Sequence, residues 1–145
     1  MAFSRHFFRV YNFAYTQCFG IVDDSSLRIH LLSFQIESQG MKVIRELADT
    51  RGIERADKAT VKGLVELTEL DKKHTAEREE LLAILVSDAL ILEMAQLYAR
   101  SVKSGNKDIG IFQDVNEALT WLQYSEKEAG KIRQFISRHR VKAPL

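Results

Sequence analysis

Leu81-Leu82-Ala83-Ile84-Leu85-Val86, followed by Ser87-Asp88 and then Ala89-Leu90-Ile91-Leu92, is the stretch that decides the fold class. Six uninterrupted apolar residues fit a strand buried on both faces, as a covered and largely parallel sheet requires. Ser87-Asp88 places side-chain acceptors just before a second apolar segment with helical spacing, so a capped helix follows the strand. A strand leading straight into a helix is half of a βαβ unit, and the chain on either side repeats that alternation.

Upstream, Phe7–Val22 (FFRVYNFAYTQCFGIV) is rich in aromatic and β-branched residues and predicts two short strands turning near Asn12–Tyr15, with Gly20 closing or bulging the second. Asp23-Asp24-Ser25-Ser26 caps a helix carrying Leu27, Leu31 and Phe34, which should stop at Gly40. Lys42–Ala48 reads as a short strand and Asp49–Ala56 as a loop around Gly52. Asp57 then caps a helix bearing Val61, Leu64, Val65 and Thr68, and the charged run Lys72–Glu80 reads as a solvated helix end and loop. Downstream, the helix from Ala89 runs to about Ser104, ended by Gly105-Asn106, and Asp108–Phe112 is a further short strand. Asp114–Glu117 and Ser125–Glu128 both have capping-box spacing, which predicts one helix after Asp114 and a separate C-terminal helix over Glu126–Arg138, with Pro144-Leu145 a frayed end. The expected fold is α/β: a mixed sheet of about five strands opened by a hairpin, helices packed on it, and an extra C-terminal helix.

Composition supports one domain over 1–145. Of 145 residues, 46% are hydrophobic and 28% charged, with one proline, which is too apolar for a disordered chain. Lysine and arginine number 21 against 20 acids, and a net charge of +1 gives no reason to expect a nucleic-acid partner. Arg5, His6 and Arg9 interrupt Met1–Phe13, so no apolar signal core is expected there, and the most apolar run, Ala89–Ala99, is broken by Glu93 and Gln96. A lone Cys18 suits a reducing cytoplasm and reads as a small packing residue.

Three stretches resemble a known family. Gly20-Ile21-Val22-Asp23 with its following helix, Leu81–Val86 with Ser87-Asp88 and a helix containing Leu97-Tyr98, and Ile111–Leu122 (IFQDVNEALTWL) resemble, in this order, the hairpin end, an inner strand and the closing strand and helix of the STAS fold. That fold is named for sulphate transporters and anti-sigma-factor antagonists, and the likeness is strongest to small bacterial SpoIIAA-like proteins of uncharacterised role. It covers about residues 7–123, leaving a helical extension at about 125–140. In the antagonist branch a loop reading Asp-Ser-Ser-Gly-Leu opens a helix and its second serine is phosphorylated. The matching positions here are Asp57-Lys58-Ala59-Thr60-Val61. Alanine offers no hydroxyl, so that switch is not expected, and Thr60 is read as a local cap or inward-facing residue.

The resemblance implies a cytoplasmic, non-enzymatic regulatory or protein-interaction module, with a protein partner or a second copy of the chain. Its candidate surface is the helix start at Asp57, Lys58 and Thr60 with the outer side of the Ala89–Ala99 helix, including Leu92, Ala95 and Ala99. The alternative is a carrier of a lipid or other small hydrophobic molecule, motivated by the apolar excess over Leu81–Val102. Asp57, Asp88 and Asp114 each precede a helix, so they serve as caps or line a ligand site at the strand ends, with capping the plainer reading. No catalytic residues stand out: there is no nucleophile elbow, phosphate loop or nucleophile–base pair. His6, His30, His74 and His139 have no metal-ligand spacing, and no metal or other cofactor is expected. Beyond Glu128 the chain has no acid while Lys131, Arg133, Arg138, Arg140 and Lys142 follow. That basic helix fits either a docked terminal helix or contact with an anionic membrane surface.

Overall fold

The computed structural model describes residues 2–75, 78–102 and 107–141, with residues 73–75 described as backbone alone. Readings made above for the His74 side chain, Ser104, Gly105-Asn106, Lys142 and Pro144-Leu145 lie outside the described residues. Strands β1 (Ala2–Phe8), β2 (Phe13–Asp23), β3 (Val43–Lys58), β4 (Glu79–Leu85) and β5 (Lys107–Phe112) form one sheet in the order β1-β2-β3-β4-β5. β1 is antiparallel to β2, and β2 to β5 run parallel. Helices α1 (Asp24–Glu37), α2 (Val61–Thr75) and α3 (Ala89–Ser101) are the crossovers, and α4 (Val115–Trp121) and α5 (Glu126–His139) follow the last strand.

This topology has a direct consequence. Every parallel step moves the same way across the sheet, and crossovers are right-handed, so α1, α2 and α3 must all lie on one face. The opposite face can only be covered by chain outside the crossovers. α4 and α5 do that: Ala118, Leu119, Leu122, Ala129, Ile132, Phe135 and Ile136 bury Phe13, Tyr15, Leu47, Ala83 and Leu85. The expected C-terminal extension is therefore part of the core. Phe135 stacks on Phe8, the Tyr124 hydroxyl donates to the Tyr11 carbonyl at 2.7 Å, and Val141 exchanges two hydrogen bonds with the buried Gln17 side chain. The basic residues Lys131, Arg138 and Arg140 stay exposed on its outer side, and Arg133 bonds Asn116 Oδ1 at 3.1 Å.

Three expectations need correction. The hairpin begins at Ala2, five residues before the aromatic run, and turns through a short 3₁₀ segment at Arg9–Tyr11 with Asn12 left-handed, φ 53°. Arg5 hid β1 from the pattern because its charge points inward. Second, Asp49–Ala56 is no loop. β3 continues for 16 residues, and its last part pairs with β2 alone as a bulged ribbon. β4 reaches only Asp49, so the ribbon has no sheet neighbour on that side and its charged residues are solvated. Gly52 sits where a Cβ would lie 2.8 Å from the Cys18 carbonyl oxygen, and Gly20 has φ +77° at a register shift. Third, Asp57 does not cap α2. It lies in β3, exposed and paired with Arg55 at 2.8 Å. Thr60 takes that role: its Oγ1 accepts from the Gly63 amide at 2.9 Å, while its own N–H and hydroxyl donate to Asp24 on α1.

Among the described residues no helix is long and apolar enough to cross a membrane.

Candidate functional site

On the crossover face, successive strands point small and apolar side chains at the helices: Cys18 and Val22 from β2, Ala48 from β3, Leu82 and Ile84 from β4. α1 and α3 pack toward this surface through Leu27, Leu31 and Phe34, and through Ile91 and Ala95. α2 bridges α1 and α3, and its Leu64 and Leu67 complete the lining. Between α2 and the sheet lies a cavity of about 130 Å³. Its wall is almost wholly hydrocarbon, with Met94 a flexible contributor.

The charged part of the wall comes from one end of the sheet. Glu46 and Lys107 line the cavity, and the register places them near the starts of β3 and β5, Lys107 opposite Glu80. Lys107 is almost fully buried, its Nζ 2.6 Å from Asp71 on α2 and 3.4 Å from Glu80. The Tyr98 hydroxyl donates to the same Asp71 carboxylate at 3.0 Å. Arg78 in turn pairs with Glu80 and donates to Ser38 Oγ at 2.9 Å. Burial by itself would lower the Lys107 ammonium, but Tyr98, Asp71 and Glu80 outweigh it and hold it above the usual lysine value. This corrects the reading of Lys72–Glu80 as solvated throughout: Glu80 and the adjacent Asp71 are buried, and Asp71 fastens α2 to the sheet.

On the α1 side, Arg5 reaches in from β1. Its side chain is buried, donating to Thr16 Oγ1 at 3.0 Å and to Glu37 at 2.6 Å, with Glu46 at 3.9 Å. The Thr16 hydroxyl donates a hydrogen bond to Glu46 Oε2 at 2.7 Å. Arg5 also meets His30 Nδ1 at 2.8 Å. A guanidinium only donates, so Nδ1 accepts and the neutral ring carries its proton on Nε2. Burial and the Arg5 charge push His30 down to about 3, which keeps that neutral form. Among the described residues Nε2 has no hydrogen-bond partner, and the ring lines the cavity. Cys18, also in the wall, is pushed up to about 12 by burial and the nearby Glu46, so it stays a thiol.

Of the candidate site residues singled out from sequence, Ala95 alone lines the cavity. Asp88 caps α3 through the Leu90 and Ile91 amides and Asp114 caps α4 through the Asn116 amide; with Asp57, they stay on the outside and none lines the cavity. Lys58 ends β3, exposed. Of the outer-strip residues on α3, Ala95 is turned inward and buried, Leu92 packs half-buried onto the core, and Ala99 is half-buried. Leu90 is the exposed apolar residue of that helix, at 47%. A different strip is open on α1, where Ile29, Leu32 and Ile36 are 58%, 40% and 73% exposed. Sequence reading missed Arg5, His30, Glu46, Asp71 and Lys107, because each is a charged or polar residue inside an otherwise ordinary pattern. Among the described residues no group of three or more His, Cys, Asp or Glu is placed to hold a metal ion.

No family model and no curated protein matches the chain. Among solved structures, it is similar to an uncharacterised protein from the DUF3478 family with a SpoIIAA-like fold, from Shewanella loihica PV-4. The TM-score is 0.56 at 16% identity, over 83% of this chain and 92% of that one. The chain therefore has the SpoIIAA-like fold that its three motifs resemble.

Proposed function

We propose that this protein is a non-enzymatic binding module that holds a small hydrophobic molecule between α2 and the sheet. One observation carries the reading: a cavity of about 130 Å³ between α2 and the sheet whose wall is nearly all hydrocarbon. Protein interiors rarely keep such a space, since an unfilled void forfeits dispersion contacts along its whole lining. A cavity of roughly 150 Å³ with apolar walls stays dry and accepts benzene. α2 suits a cover, because it rests on α1 and α3 and is pinned at its two ends by polar contacts, Thr60 to Asp24 and Asp71 to Lys107.

Native mass spectrometry of protein purified without detergent tests this. A co-purifying adduct of defined small mass is the expected result, absent from Ala95→Phe, whose new ring occupies the cavity. A clean apo mass for both, with no binding of added aromatic compounds, contradicts it.

A protein-interaction role has one observation of its own in its favour, the Ile29–Leu32–Ile36 strip on α1. Analytical ultracentrifugation of the wild type and of Leu32→Glu tests for a second copy on this face: self-association that the substitution abolishes supports it, and a monomer in both cases removes that occupant.

A further inference from the structure

We infer that the preferred occupant is a small, electrically neutral molecule, a single ring or short chain, bearing one oxygen that accepts a hydrogen bond from His30 Nε2–H. The inference rests on the binding reading above and adds the chemical class of the ligand.

Size comes from the cavity volume of about 130 Å³, which suits a group of benzene dimensions. The acceptor comes from His30. Its Nδ1 is taken by Arg5, so the tautomer is set, and the Nε2–H has no acceptor among the described residues. A donor in an apolar wall favours a ligand that satisfies it over one that does not. Neutrality comes from charge accounting within the wall. Lys107 already faces two carboxylates, Asp71 and Glu80, and Arg5 faces Glu37 and Glu46. No cation is left over for a ligand carboxylate, and an anion would enter a low-dielectric space without a counterion. A cationic ligand fares no better: Asp71 is held by Lys107, Glu80 by Lys107 and Arg78, and Glu46 by Arg5 and the Thr16 hydroxyl, while Glu37 reaches solvent.

Three probes of similar size separate the elements of this inference when titrated into the full chain by calorimetry: acetophenone, ethylbenzene and benzoate. Acetophenone is expected to bind about three- to tenfold more tightly than ethylbenzene, the span of one net hydrogen bond. Benzoate is expected to bind on the order of a hundredfold more weakly than acetophenone. His30→Phe should erase the acetophenone preference while ethylbenzene binding persists. In the unsubstituted protein, the His30 Nε2–H resonance should shift with acetophenone and stay in place with ethylbenzene, which reads the contact without a variant. Equal binding of acetophenone and ethylbenzene, or tightest binding of benzoate, overturns the ligand class and leaves the cavity reading intact. Binding of none of the three overturns the cavity reading itself.

Discussion

Lys107 and His30 show how single residues set the character of this interior. Lys107 is buried beside two carboxylates, and removing it leaves Asp71 without this cation, while Glu80 keeps Arg78. Lys107→Met should cost about 3–5 kcal/mol in urea unfolding at neutral pH, as expected when one partner of a buried ionic cluster is deleted. Loss below 1 kcal/mol would show that water reaches the cluster. His30 gives a pH signature. Its folded value is about 3 against an ordinary 6.5, so between these limits the unfolded chain binds a proton that the folded one refuses. Stability therefore rises with pH across that window and falls on acidification, by up to about 1.4 kcal/mol per unit from this group. His6 is lowered too, by burial and by His139, and acts in the same sense. The difference between wild type and His30→Phe isolates the His30 contribution: between pH 6.5 and 5 the wild type should lose about 2 kcal/mol more than the variant. Parallel pH profiles would contradict the neutral, Arg5-bonded ring.

At the scale of elements, α5 is what the topology demands. Three same-handed crossovers leave one sheet face bare, and the segment after β5 covers it. Phe135→Ala should cost about 3–5 kcal/mol, and Ser125→Ala, which breaks a reciprocal capping box, about 1 kcal/mol. Chemical denaturation measures both, and wild-type stability for Phe135→Ala would contradict the assignment of α5 to the core. The helices were legible in the sequence because their signals are local: Asp88, Asp114 and Ser125 cap where their side chains stand, and the apolar spacing after them is regular. The Leu81–Leu85 strand was legible for the same reason, an apolar run buried on both faces. What escaped depends on neighbours distant in the chain. β3 looked like a strand and a loop because its second half pairs with β2 alone and alternates charged residues with Gly52. β1 looked unstructured because Arg5, an inward charge, is tolerable only beside Thr16, Glu46 and Glu37. The apolar excess over Leu81–Val102 pointed to a hydrophobic-ligand site, and that stretch supplies Leu82, Ile84, Ile91, Met94 and Ala95 to the wall, but the place of the cavity escaped. A gap between a helix and a sheet leaves no mark on the periodicity of either, and its polar wall is assembled from α1, β3, α3 and β5.

At the scale of the molecule, the two faces of the sheet differ in what they are built to do. The α4–α5 face is filled with aromatic contacts around Phe13, Tyr124 and Phe135. The crossover face keeps an apolar space under α2, edged at one end by the buried Lys107 cluster. The protein trades stability for that space, so filling it should be favourable in the absence of ligand: Ala95→Leu is expected to raise stability by about 0.5–2 kcal/mol while weakening guest binding, measured by thermal unfolding with and without acetophenone. The central claim, that the space between α2 and the sheet admits an apolar guest, is tested most directly by diffraction from crystals pressurised with xenon. An atom of xenon between Leu64, Leu82 and Met94 is the predicted result. A core that stays empty there, with xenon only at surface sites, would contradict it.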